Sequence, residues 1–485
     1  MIRRDPEEQQ EREHDLIVVG GGVYGCMVAL ESARRGLRPL LLERDDFGQH
    51  TSGSWLRILH GGLRYLQRLD MPRHVDSVQA RRWFLCRFPD LVEPLRCVMP
   101  LYGRGLRRRR ILAAALAADQ VLSPYRNRGV RRDRRLPPGR TLTREALMGI
   151  APSVRQDGLD GGALWYDAFT RRPQRLLMEV LRWAVAEGAT ALNYVEALRL
   201  DQQDGRTNGV GAIDRIKGRD LSFRAPVVVN CAGPWSAEVA AMLDERIPGL
   251  FRPSLAFNIL LDREPDFEGA LAVEAPGPDA RTHFVYPAHG GILAGTAHAP
   301  VGDPSGSGPD ADRVDAFRRE LGEALPGLGL ESAPVLHVFS GRLPVQDEGT
   351  VTLSSRPVIV HHGDRGGPKG LVSVSGVKFT TAPRVARQVL AGLERRGEVR
   401  LGPVSSDPRP EPLRVPETSA LRDEDPDRIR EWAHVLATTE AAANSDDILF
   451  RRAAWGIDPR GASMVRPLVD EVMSKAPSRA REAEP

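Results

Sequence analysis

The sequence predicts an interleaved α/β protein, and three observations carry that prediction. Residues Asp15–Val19 (DLIVV) form an apolar run that reads as a buried strand, and the glycine-rich GGGVYG follows it at once. A second apolar run, PLLLE, closes on Glu43. Further along, strand-like runs (PVVVNCAG, FNILLD, GGILAGT) are interspersed with the amphipathic helical stretch Arg171–Ala189. Strand, turn, helix and strand in that order make a βαβ unit, the building block of a parallel sheet.

In the first unit Gly20, Gly22 and Gly25 have the G-x-G-x-x-G spacing. The stretch VYGCMVALESARRG supplies a helix with small or apolar residues toward a sheet, and Gly36 ends it. Gly20 permits the tight turn, Gly22 lets backbone approach a pyrophosphate, and Gly25 allows close packing of helix on strand. The helix N-terminus turns free N–H groups and a positive dipole toward the phosphates. Glu43, at the end of the second strand, is placed to accept hydrogen bonds from ribose hydroxyls. The unit is a Rossmann-type dinucleotide site, and by itself it does not separate FAD from NAD.

The rest of the chain bounds the class. At 485 residues, 41% hydrophobic and 27% charged, it has the composition of a globular protein of two or three domains. Cys26, Cys86, Cys97 and Cys231 are too scattered for a disulfide framework or a metal site, so a reducing, cytoplasmic setting is expected and no metal. Residues 1–13 are charged in both signs and read as a flexible tail, and no window is apolar over the roughly 20 residues needed to span a bilayer. The net charge of +4 conceals a basic segment, Arg104–Arg140, whose centre ILAAALAADQVL is apolar and helix-prone. It reads either as a solvated helix with a charged loop or as a peripheral membrane contact. No nucleic-acid-binding motif accompanies the arginines, so no nucleic acid partner is expected.

Further segments carry a resemblance. They are Glu43 with the following DDF, the pair Thr51-Ser52, HGGLRYL (His60–Leu66), VVNCAGPW (Val228–Trp235), and FVYP leading to Gly295-Thr296 and Gly302–Pro304. FSGRLP (Phe339–Pro344), SVSGVKFTT (Ser373–Thr381) and DDILFRRAAWG (Asp446–Gly456) complete the set. Together these resemble the FAD-dependent, aerobic-type glycerol-3-phosphate dehydrogenases, within the D-amino-acid-oxidase-like flavoproteins, over nearly the whole chain.

The resemblance implies FAD as cofactor and hydride transfer from a secondary alcohol to flavin N5, oxidising glycerol 3-phosphate to dihydroxyacetone phosphate. It implies a phosphorylated polyol substrate and a membrane quinone as electron acceptor, with oxygen as the alternative. It also implies cofactor contacts at Gly20, Gly22, Gly25, Glu43, Thr51, Ser52, Gly61 and Gly62. Ala232, Gly233, Trp235, Gly341, Gly376, Lys378, Phe379 and Thr380 complete that expected set. The Gly61-Gly62 pair suits a backbone that approaches the isoalloxazine. Thr380 and Thr381 are suitable caps for a helix aimed at the flavin. Arg64, Arg342 and Lys378 fall on motifs that place cations for a phosphate, and arginine suits this through its planar fork. Loss of the hydroxyl proton needs a base or an alkoxide stabiliser, for which His60, His298 and Lys378 stand open as candidates.

Several motifs depart from the family pattern. Trp55-Leu56 replace two serines, Asn258 stands where a histidine is usual, and His298 takes the place of an aspartate. Arg342 is one position early, and Val377 replaces a glycine. These departures keep open a relative that oxidises another hydroxy acid, amine or biosynthetic intermediate, and a non-catalytic flavin-binding partner protein. Oligomeric state is also open. The expected organisation has a cofactor-binding domain from 14–75, 160–250 and 336–400, and a substrate or cap domain from 76–159 and 251–335. An antiparallel sheet is expected in the cap, and a linker with a shortened C-terminal helical domain over 401–485.

Overall fold

The computed structural model describes residues 1–67, 69–103, 108–244, 250–276, 281–301, 308–354, 356–407, 409–417, 421 and 424–475. Gly302–Pro304 of the motif set lies outside them, as do the last ten residues and Arg104–Arg107 of the basic segment.

The two apolar runs of the first unit become the strands Leu16–Val19 and Pro39–Leu42, joined by the helix Val23–Ala33. They sit inside a six-stranded sheet. Its order is Val358–His361, Leu371–Ser375, Val228–Asn230, Leu16–Val19, Pro39–Leu42, Thr190–Leu192, parallel throughout except for the first pair. The run LIVV carries no polar residue because both faces are covered. Leu16 and Val18 pack with the helices Val23–Ala33, Pro173–Ala186 and Ala382–Arg395, while Ile17 and Val19 pack with a three-stranded meander, Val195–Gln203, Arg206–Asp214 and Arg219–Arg224. The result is a helix–sheet–sheet stack, with the predicted amphipathic helix trimmed to Pro173–Ala186.

A second sheet of nine strands is antiparallel save for the contact between Glu93–Leu101 and Ala270–Val273. FNILLD and GGILAGT lie side by side in it, within the strands Pro253–Leu261 and Gly291–Pro300. Gly161–Phe169 and Val335–Pro344 also hydrogen-bond in this sheet. One of its faces packs under the helix Ala311–Ala324. The other carries Leu112 and Leu116 of the helix Arg109–Leu122, drawn from the basic segment, together with Ala454 and Ile457. No helix among the described residues is long and apolar enough to cross a membrane.

Further along, the helices Pro426–Thr439 and Pro459–Lys475 close a small core around Trp455. That core is tied to the six-stranded sheet by buried ion pairs. Arg452 forks onto Asp46 at 2.6 and 2.7 Å, and Arg175 onto Glu440 at 2.8 and 2.5 Å. The first thirteen residues are not a tail. Ile2 is buried, Arg4 reaches Asp214 at 2.5 Å, and Asp5 caps the helix Pro6–Gln10 through the Glu8 N–H. Charge alone suggested solvation there; the partner carboxylate on the meander supplies what the local sequence lacks.

Candidate functional site

Where the strands Leu16–Val19 and Val228–Asn230 end, the chain turns away on both sides and leaves a cavity. Gly20, Gly22, Glu43, Thr51, Ser52, Ala232, Gly233, Trp235, Gly376, Lys378 and Phe379 all line it, as does Arg342. These residues come from five separate stretches of sequence.

The glycine turn is built as its spacing predicts. Gly20 has φ +106°, and a Cβ there would lie 2.6 Å from the Cys231 carbonyl oxygen. A Cβ on Gly25 would meet the Gly20 carbonyl oxygen at 1.8 Å, so this glycine serves packing and does not border the cavity. Gly22, by contrast, faces only the Ser52 hydroxyl, at 3.0 Å from an added Cβ. Gly22 is also the N-cap of the helix and offers no side-chain cap; the Val23 N–H donates to Ser52 Oγ at 2.9 Å. The first turn of this helix thus leaves backbone donors at a cavity wall.

Glu43 accepts N–H groups from Gly21 at 2.6 Å and Asp45 at 2.9 Å. Burial pushes its carboxyl up, against those two bonds. Around it stand residues the sequence reading did not single out. Val195, Glu196 and Ala197 of the meander line the same part of the cavity, and Arg44 lies over the Trp235 ring at 3.8 Å with His50 at its edge, 4.7 Å away. Only sheet pairing brings the meander here, so no local motif announces it.

A second group sits near Lys378. Trp55 stacks on Phe379 at 4.1 Å and 8°, and Tyr24 bonds the Lys378 backbone on both sides, donating to its carbonyl at 2.8 Å and accepting its N–H at 3.1 Å. A Cβ at Gly376 would lie 1.9 Å from the Tyr24 ring, which is why glycine stands there. Lys378 Nζ contacts the Tyr65 hydroxyl and lies 4.4 Å from that ring's centroid. The Thr51 hydroxyl accepts the Arg342 N–H at 3.1 Å, and Gly341 lies against Thr51. Thr380 is buried in the turn, whereas Thr381 sends its hydroxyl to the Lys378 carbonyl at 3.2 Å and does not cap the following helix.

His60, Gly61, Gly62 and Arg64 do not border this cavity. A Cβ at Gly61 would strike the Arg81 guanidinium at 1.9 Å, and the Gly61 N–H donates to Asp167 at 2.7 Å. Asp167 also binds Arg81 at 2.7 Å and His60 Nδ1 at 3.1 Å. Burial works against its charge, but the His60 bond and the Arg81 charge hold the carboxyl far below the usual carboxylate range. His60 keeps its other ring edge partly exposed, beside Phe284 at 4.9 Å. Arg64 is exposed on the helix Leu63–Gln67, next to Tyr65. His298 lies elsewhere, by Arg281 and His283, and burial lowers its pKa to about 4. Asn258 is tied down, donating to the Ser54 carbonyl at 2.7 Å and accepting from Thr296 at 2.9 Å.

The cavity fits a flavin dinucleotide: a glycine cradle at Gly22, a buried carboxylate at a strand end, and an aromatic wall. At that wall the buried Trp55 Nε1 has no hydrogen-bond partner among the described residues.

Comparison with known proteins agrees. Residues 15–391 match the family model described as FAD dependent oxidoreductase. A glycerol-3-phosphate dehydrogenase of Synechocystis is 31% identical over 80% of this chain and 71% of its own length. Glycerol-3-phosphate dehydrogenase 1 of Mycobacterium tuberculosis is 29% identical over 95% of each chain. Among solved structures, the glycerol-3-phosphate dehydrogenase of Bacillus halodurans complexed with FAD superimposes with a TM-score of 0.69, at 19% identity, covering 97% of this chain and 92% of that one.

Proposed function

The chain belongs to the FAD dependent oxidoreductase family, and within it to the FAD-dependent glycerol-3-phosphate dehydrogenases; on that premise we propose that it oxidises glycerol 3-phosphate to dihydroxyacetone phosphate. The observation that carries the reading is the meeting of Arg342 and Lys378 with Trp55 and Phe379 at one cavity that also holds the glycine turn. Bound FAD supplies the hydride acceptor at N5. Everything else falls to the chain.

In this reading Gly20–Val23 and Ser52 hold the pyrophosphate, Glu43 the ribose, and the Trp235 and Val195–Ala197 region the adenine. Tyr24 fixes the Lys378 turn, and Trp55 with Phe379 bounds the ring system. Arg342 and Lys378 bind the substrate phosphate, with Arg64 on the adjoining helix. His60 takes the hydroxyl proton at Nε2, because Asp167, itself held by Arg81, fixes its ring through Nδ1. His60 is taken as the base on its half-exposed ring and its bond to Asp167, although it does not border the cavity; His298 is buried elsewhere, and Lys378 is assigned to the phosphate. We assign the interleaved segments 14–75, 160–250 and 336–400 to cofactor binding, and 76–159 with 251–335 to covering the substrate.

We take a quinone as acceptor, with oxygen as the alternative that the similarity to an α-glycerophosphate oxidase of Streptococcus pyogenes supports. The helix Arg109–Leu122, with Val121 and Leu122 exposed, is the surface through which a membrane-held acceptor is reached. The deciding experiment is anaerobic titration of the flavin-loaded protein with glycerol 3-phosphate. Bleaching of the oxidised-flavin band is expected. A bound flavin that this substrate leaves oxidised sinks the reading and favours a different hydroxy acid or amine, the alternative raised by Asn258 being locked between Ser54 and Thr296.

A further inference from the structure

Beside the flavin cavity lies a second recess, between the helices Met71–Arg87 and Ala382–Arg395 and the strand Val358–His361. Val377 and Lys378 line both, so the two adjoin. The walls of the second are overwhelmingly cationic. Arg356, Arg384, Arg387, Arg395 and Arg396 line it with Arg73 and Lys378, against one carboxylate, Asp76.

Some of this charge is compensated from outside. Arg384 contacts Asp76, Arg387 lies 3.4 Å from Glu31, Arg396 contacts Asp364, and Arg73 is 3.1 Å from Asp70. Arg356 and Arg395 have no ion-pair partner among the described residues, and Lys378 is met by a phenol, which carries no charge. Seven cations thus share four carboxylates. His361, also on the wall, has a buried Nδ1 without a partner, and burial together with the Arg396 charge lowers its pKa to about 4. The imidazole stays neutral and leaves the surplus charge to the guanidinium groups.

We propose that this recess is an anion site for a phosphate monoester dianion, distinct from the cofactor cavity and opening onto it at Lys378. Guanidinium groups from more than one direction suit the three oxygens of a phosphate. A recess lined by one sign of charge raises the local concentration of an oppositely charged ligand and speeds its capture. The ligand class rests on the substrate reading above: the phosphorylated substrate collects here before it reaches the flavin. The binding site itself does not depend on that reading.

The same chemistry could come from a free phosphate or from a phosphatidate headgroup, and the concave walls favour the free ion. The test therefore uses inorganic phosphate on the flavin-loaded protein, followed by calorimetry at low salt, with the double variant Arg356→Gln/Arg395→Gln, which breaks no ion pair. Saturable binding in the parent, weakened about tenfold or more in the double variant with the flavin spectrum unchanged, is the expected result. The variant Arg356→Lys/Arg395→Lys, which keeps the charge, should recover part of the affinity. Absence of saturable phosphate binding in the parent, or equal binding in the glutamine variant, overturns the proposal. So does a loss confined to binding of phosphatidate-containing phosphatidylcholine vesicles. Flavin bleaching by glycerol 3-phosphate is scored separately, so a protein that binds phosphate here but is not reduced loses the substrate reading and keeps the site.

Discussion

The Tyr24 hydroxyl sits between the two backbone polar groups of Lys378, donating to the carbonyl at 2.8 Å and accepting the N–H at 3.1 Å. It ties the first turn of the glycine-turn helix to the Lys378 loop across most of the chain's length. Burial pushes the phenol up to about 12, so it remains a donor at any working pH. Each bond is worth about 1 kcal/mol net, and Tyr24→Phe should therefore weaken FAD binding about 5- to 30-fold. Measured FAD affinity equal to that of the parent would show the tie to be irrelevant to the cofactor. Gly376→Ala should be more severe, since its Cβ overlaps the same ring.

Asp167 is the group that orients His60. His60→Gln is expected to slow anaerobic flavin reduction about 10²–10⁴-fold with FAD still bound, the range for a lost general base. Asp167→Asn should slow the same step while leaving substrate affinity near that of the parent. A rate within twofold of the parent in both variants would remove His60 from the proton path.

The same carboxylate makes a pH prediction. Its folded pKa is depressed, so its contribution to stability is present above the ordinary aspartate pKa of about 3.9 and fades as pH falls below that value. Unfolding midpoints followed from pH 6 down to pH 3 should drop less steeply in Asp167→Asn than in the parent. Parallel curves would mean that the carboxyl titrates alike in both states.

Arg342 borders the flavin cavity. Arg342→Gln should raise KM for glycerol 3-phosphate about 10- to 100-fold, from a charged hydrogen bond worth about 1.5–3 kcal/mol, with a smaller rise for exposed Arg64→Ala. If phosphate and non-phosphorylated glycerol respond alike to Arg342→Gln, the residue does not hold the phosphate.

The C-terminal core depends on the buried Asp46–Arg452 fork. Removing one partner leaves the other charge buried, so Arg452→Met should lower stability by about 3–5 kcal/mol, whereas Asp46→Leu/Arg452→Met should recover much of it. Thermal unfolding of the single and double variants measures this directly; a single variant as stable as the parent would argue that the fork is idle.

Sequence alone determined the first βαβ unit, because its signal is local. Apolar runs, three glycines and a terminal acid lie within one supersecondary element at readable spacings, although the space that Gly20 leaves is filled by Cys231 from a distant strand end. Motif resemblance extended that to Thr51, Ser52, Gly376, Lys378 and Phe379, which meet at one cavity. What only the tertiary structure decided are the pairings between distant segments. Asp167 reaches His60 from 107 residues away through the pairing of Ile58–Leu59 with Gly161–Phe169. Arg81 fills the space left by Gly61, and Val195–Ala197 arrive on the meander. The basic recess draws on three separate elements. None of these has a periodicity or a spacing to read, since long-range register follows from how two sheets bury their apolar faces and not from any single stretch of chain.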